Sequence, residues 1–147
     1  MSKPTTITPF YRSPDGAITI YCARWEDVHA AGLVPSPDLV HADPPYGVNT
    51  DTAYQPEGER RKGANRLSGG GRGREYSPVV GDDRPFDPAP LLALDRPTVL
   101  WGANHYSERV PGSPSWIFWD KREGQGSDDN ADGELAWTNL GGPLRSF

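Results

Sequence analysis

Leu39-Val40-His41-Ala42-Asp43-Pro44-Pro45-Tyr46 is the stretch from which the rest of the chain is read. Leu39 to Ala42 is too short and too apolar for anything but a buried strand, and Pro44 ends it by removing the backbone N–H that a ladder needs. An acidic residue therefore leaves a strand end, followed by two prolines with φ held near −65° and then an aromatic ring. The result is a rigid ledge with free acceptors. Such a ledge fits a flat substrate bearing an NH2 group: Asp43 and the Pro44 carbonyl each accept one amine hydrogen, and the Tyr46 face stacks on the ring. Accepting both hydrogens draws the nitrogen lone pair out of conjugation and makes the nitrogen nucleophilic. The plainer reading of Asp-Pro-Pro is a loop at a strand end, and the surrounding chain decides between them.

Working outward, Ala17 to Cys22 is β-branched and alternating after the turn signal Ser13-Pro14-Asp15-Gly16, which predicts a strand. Trp25 to Ala31 has apolar residues at helical spacing and stops at Gly32. Strand, helix and strand in this order predict a right-handed crossover and so a parallel sheet. In an open parallel sheet Asp43 would face the crevice at the carboxyl end of its strand, where ligands bind. Further on, Ala89 to Leu94 predicts a short helix, Thr98 to Trp101 a strand after Pro97, and Ser115 to Trp119 a second buried strand. Glu134 to Trp137 reads as the start of either a helix or a strand. The fold class expected is α/β, a partial Rossmann-like sheet, mostly parallel, with long Gly/Pro-rich loops.

The chain has 147 residues, one domain's worth and below the usual size of a complete enzyme with a target-reading insert. Sixteen prolines and seventeen glycines imply short elements joined by punctuated loops. The single cysteine, Cys22, excludes an internal disulfide and suits a reducing cytoplasm, and no apolar run reaches the length of a signal or membrane helix. A net charge of −5 means that a polyanion could be held only through a local basic patch. One exists between Glu57 and Glu75, where Arg60, Arg61, Lys62, Arg66, Arg72 and Arg74 stand against three glutamates. Phosphate contact is one reading of this run, and a solvated linker around Ser68-Gly69-Gly70-Gly71 is the other. Its nearness in sequence to Asp43 favours contact with DNA.

A second constellation follows a strand end as Asp43 does: Trp101-Gly102-Ala103-Asn104-His105-Tyr106. Trp116, Phe118, Trp119-Asp120-Lys121 and Glu134-Leu135-Ala136-Trp137-Thr138-Asn139 come after it. Taken singly these residues are ambiguous. His105 fits a structural hydrogen-bonder better than a catalyst, Lys121 reads as half of a surface ion pair with Asp120, Glu134 as a helix cap or a neighbour of the substrate, and the tryptophans as core.

Taken together with Asp43 to Tyr46, the series resembles site-specific DNA amino-methyltransferases of phage and prophage type, over residues from about 18 to the end. The resemblance implies methyl transfer from S-adenosylmethionine to adenine N6, with cytosine N4 second, in double-stranded DNA after the base has been flipped from the duplex. It implies a catalytic role for Asp43, Pro44, Pro45 and Tyr46, and a target pocket drawing on Asn104, His105, Lys121 and Glu134. The tetrapeptide also occurs in RNA amino-methyltransferases.

The chain also departs from that family. The Phe-x-Gly-x-Gly cofactor loop is not found, and Ala23-Arg24 stands where relatives often have Gly-Asp. Gly69-Gly70-Gly71 and Gly141-Gly142 do not replace the loop, since neither follows a strand and opens a helix. The expectation is an amino-terminal part of a methyltransferase whose cofactor half is missing or comes from a second chain. The alternative is a catalytically incomplete remnant that acts as a DNA-binding or split subunit.

Overall fold

The computed structural model describes residues 6–49, 77–123 and 133–146. The chain divides into two units, Met1–Pro37 and Asp38–Phe147. In the first, strands β1 (Tyr11–Arg12) and β2 (Thr19–Ile20) form an antiparallel ribbon. The Ser13–Gly16 turn closes it: Ser13 N donates to the Ile18 carbonyl at 2.9 Å, and the Ala17 N–H donates to Asp15 Oδ1 at 3.1 Å. The Ser13 hydroxyl and that N–H together hold the Asp15 carboxyl below its ordinary range. Helix α1 follows at Trp25–Ala30. It ends where expected, with Gly32 N donating to the His29 carbonyl and Leu33 N to that of Val28, the paired bonds that satisfy the last turn.

The second unit is a five-stranded sheet in the order β3-β4-β6-β5-β7. Its strands are β3 (Val40–Ala42), β4 (Thr98–Trp101), β5 (Trp116–Asp120), β6 (Gly133–Thr138) and β7 (Arg145–Ser146). β3 and β4 pair in parallel, as do β5 and β7, while β6 runs antiparallel to both of its neighbours. Helix α2 is the single turn Ala89–Leu92. The core is small and lies about the middle strands, where Leu100, Val99, Ala136, Trp137 and Tyr106 are buried. Each large apolar side chain of this set contributes about 1.5–3 kcal/mol by leaving water.

This architecture corrects the expected Rossmann-like class. The sheet is mixed, with two parallel and two antiparallel pairings. The helices described are six and four residues long, and a four-residue helix spans only about 6 Å, too little to cover a face of five strands. The expected crossover does not form either. β2 spends its ladder on β1 through the tight Ser13–Gly16 turn, and the parallel partner of β3 is β4, with His41 opposite Val99. The Glu134 segment resolves as a strand, because Ala136, Trp137 and Thr138 are buried between β4 and β5. Among the described residues, no helix is long and apolar enough to cross a membrane.

Candidate functional site

β3, β4, β5 and β7 run in one direction and β6 in the other, so four carboxyl ends and one amino end point to the same end of the sheet. Asp43 leaves β3 there, Gly102 leaves β4, Lys121 follows β5, and Glu134 is the second residue of β6. The Asp43–Tyr46 and Gly102–Tyr106 segments therefore stand at the same end of the sheet.

The ledge is held from several sides. The Tyr46 hydroxyl donates to Asp43 Oδ1 at 2.7 Å, which orients an exposed carboxylate. The Tyr46 ring stacks on His105, with centroids 5.1 Å apart and planes inclined by 13°. It also presses on the Cα of Gly102, so that a β-carbon at 102 would overlap the ring. Gly102 has φ 66°, a left-handed value that the turn from β4 into the 3-10 turn Ala103–His105 requires and that glycine adopts without penalty. Burial pushes the Tyr46 phenol well above its ordinary pKa, helped by the hydrogen bond to Asp43 and by the charges of Asp43 and Glu134. Tyr46 thus stays a proton donor to Asp43.

Tyr106 anchors the second constellation from below. Its side chain is fully buried, its hydroxyl donates to the Trp101 carbonyl at 2.5 Å, and its ring meets Phe86 edge-on at 5.0 Å. Burial, and then the charge of Asp43, raise its pKa as well. Beside the ledge, Trp101 Nε1 donates to His41 Nε2 at 2.7 Å. Trp101 meets Trp119 edge-on at 6.2 Å, and Lys121 lies over the Trp119 ring at 4.9 Å from its centroid.

Lys121 pairs with Glu134 across the strands at 2.8 Å and not with Asp120, whose Oδ1 accepts from Arg122 N. Glu134 is a strand residue, so the helix-cap reading is set aside. Trp137 is core, as expected, but Trp119 is 42% exposed at the site end of the sheet. Asn104 and His105 are exposed on the turn, and only His105 touches Tyr46 through its ring. Arg60, Arg61, Lys62, Arg66, Arg72 and Arg74 lie outside the described residues.

Sequence reasoning missed Asp82. It is buried at 5% exposure, and its Oδ1 accepts the N–H groups of Gly47 at 2.8 Å and Val48 at 3.1 Å, directly after Tyr46. It stands 35 residues away in a Gly-Asp-Asp run that reads as an ordinary turn. A groove lined by Leu92, Pro111, Ser113, Trp137 and Asn139 lies at the opposite end of the sheet. There Ser113 is used on the Thr138 carbonyl and Asn139 on Thr98 N and the Arg96 carbonyl, so both serve structure.

The site as described supplies acceptors, a ring and a paired lysine and glutamate. Among the described residues no strand leads through a glycine loop into a helix, and Gly102, which comes nearest, opens only a three-residue 3-10 turn. Compared with protein-family models, curated proteins and solved structures, the chain finds no match.

Proposed function

We propose that the Asp43–Tyr46 ledge is the amine-binding site of a DNA amino-methyltransferase, with adenine N6 as first choice of target. The observation that carries this reading is the Tyr46–Asp43 hydrogen bond beside the His105 stack. A carboxylate has two oxygens, so Asp43 can hold Tyr46 through one and accept an amine hydrogen through the other. The Pro44 carbonyl takes the second hydrogen, the nitrogen turns pyramidal, and its lone pair becomes available. Tyr46 is a neutral donor throughout and pins the carboxylate, so little reorganisation is needed when charge develops on the amine. Lys121 on Glu134 keeps the second carboxylate near Tyr46 compensated.

The test is transfer of labelled methyl groups from S-adenosylmethionine to unmethylated DNA of mixed sequence, hydrolysed to nucleosides. N6-methyladenine formed by the wild type and not by Asp43→Ala is the expected result. Label in N4-methylcytosine changes the target base, and label that persists in a folded Asp43→Ala protein sinks the assignment.

That no strand among the described residues leads through a glycine loop into a helix favours a second reading, in which this chain contributes the amine side and another polypeptide holds the methyl donor. Calorimetric titration with S-adenosylmethionine separates the two. Micromolar binding by the chain alone supports a self-sufficient enzyme, and no heat supports the split arrangement.

A further inference from the structure

We infer that Asp82 is a positioning residue for the Asp43–Tyr46 site, setting the Tyr46 ring through the Tyr46–Gly47 peptide. This deepens the amine-binding reading and rests on it. The peptide unit is planar, so fixing the Gly47 N–H fixes the plane that begins at the Tyr46 Cα. Asp82 Oδ1 takes that N–H and the next one, and the Asp82 carbonyl accepts from Asn49 N at 2.9 Å. Three successive backbone donors after Tyr46 thus end on one residue.

A buried carboxylate is costly unless it is hydrogen-bonded, and bonds from N–H groups to a charged oxygen are the strong kind. The seat is also steric. Gly47 has φ 76° and lies so close to the Arg84–Pro85 backbone that a β-carbon there would fall 2.7 Å from the Pro85 Cα. Pro45 packs against Gly81 more loosely, its Cγ at an ordinary contact distance of 3.4 Å from where a β-carbon would stand. Residues 81 to 85 are therefore a bed on which 45 to 49 lie, and Asp82 is its polar anchor. With the anchor in place, Tyr46 projects onto Gly102 and His105 and its hydroxyl reaches Asp43. Without it, the peptide plane can rotate and the ring leaves its stack.

The experiment compares Asp82→Ala and Asp82→Leu, which remove the acceptor, with Asp82→Asn, which keeps an oxygen in the same place. The His105 ring-proton resonances, shifted in the wild type by the Tyr46 ring current, report the stack without any need for activity. They should move toward free-imidazole positions in Asp82→Ala and Asp82→Leu and stay near wild type in Asp82→Asn, with cooperative melting in all three. In the methyl-transfer assay, kcat should drop roughly 10- to 100-fold with KM for DNA nearly unchanged, as for a misplaced group, and Asp82→Asn should restore most of it. Unchanged His105 signals in a folded Asp82→Ala or Asp82→Leu protein overturn the inference. So does failure of both to fold, since Asp82 would then support the whole unit and not the turn. A wild type that binds S-adenosylmethionine yet transfers no methyl group, and whose His105 signals still respond to Asp82→Ala, retains the positioning role and removes the amine-binding reading.

Discussion

The Tyr46 ring rests on the Cα of Gly102, two residues brought together from the ends of neighbouring parallel strands. Nothing larger than hydrogen fits between them. Gly102→Ala therefore meets two penalties, about 1–2 kcal/mol for a left-handed alanine and about 1–3 kcal/mol for the overlap. Tyr46 can escape the overlap only by leaving His105. A lowered melting temperature together with loss of the His105 ring-current shift is the expected pair of results, and a melt within experimental error of wild type would contradict the packing.

Asp43→Ala separates chemistry from stability. Asp43 is exposed and its described side-chain partner is the Tyr46 hydroxyl, so removal should cost only about 1 kcal/mol of folding free energy. Methyl transfer should fall at least roughly 100-fold, because an acceptor aimed at developing charge is lost. Thermal melts run beside the assay check both halves. A large stability loss would make Asp43 structural, and retained turnover would remove it from the site.

How much of this was legible from the sequence follows from the range of each contact. The strands at Val40–Ala42 and Thr98–Trp101 were legible because prolines and apolar runs bound them locally. Strand direction was not. Whether β6 runs parallel or antiparallel between β4 and β5 depends on pairings such as Trp101 with Ala136 and Trp116 with Trp137, which leave no local pattern. The crossover failed for a related reason, since β2 pairs with β1 across a tight turn and β3 with β4, contacts that the strand–helix–strand order does not distinguish from a parallel pairing of β2 with β3. Asp82 was invisible because its work is done on backbone N–H groups 34 and 35 residues away, and any residue type can offer those. The Lys121–Asp120 pairing was misread because Glu134, 13 residues on in sequence, lies across the strands from Trp119 and within reach of Lys121 just past the end of β5.

Alkaline pH should loosen the site end first. The phenols of Tyr46 and Tyr106 both sit above their ordinary pKa, each mainly through burial and then through Asp43. Unfolded tyrosine loses its proton near pH 10, so above that the native state holds protons which the unfolded chain has released. Stability from these groups is complete below about pH 10 and falls as pH rises further toward the native values. Melting temperatures measured from about pH 8 to 12 should show this decline, with a shallower slope in Tyr46→Phe. Equal slopes would mean that Tyr46 is not perturbed.

Lys121 and Glu134 provide the last measurement, a double-mutant cycle. The ammonium at 2.8 Å neutralises a half-buried glutamate whose charge reaches Tyr46, so Lys121→Met leaves Glu134 and Asp43 facing the same phenol without compensation. Both side chains keep contact with water, at 38% and 28% exposure, which limits the coupling to about 1 kcal/mol or less. Lys121→Met should thus destabilise slightly and Glu134→Gln in the same chain should recover part of the loss, leaving a positive coupling energy. Raising the salt to about 1 M, where the screening length is about 3 Å, should shrink that coupling. Lys121 also lies over Trp119, and this contribution survives both the salt and the Glu134→Gln change. A cycle that closes to zero at low salt would leave the Trp119 contact as the reason lysine stands at this position, and would take Glu134 out of the electrostatics of the site.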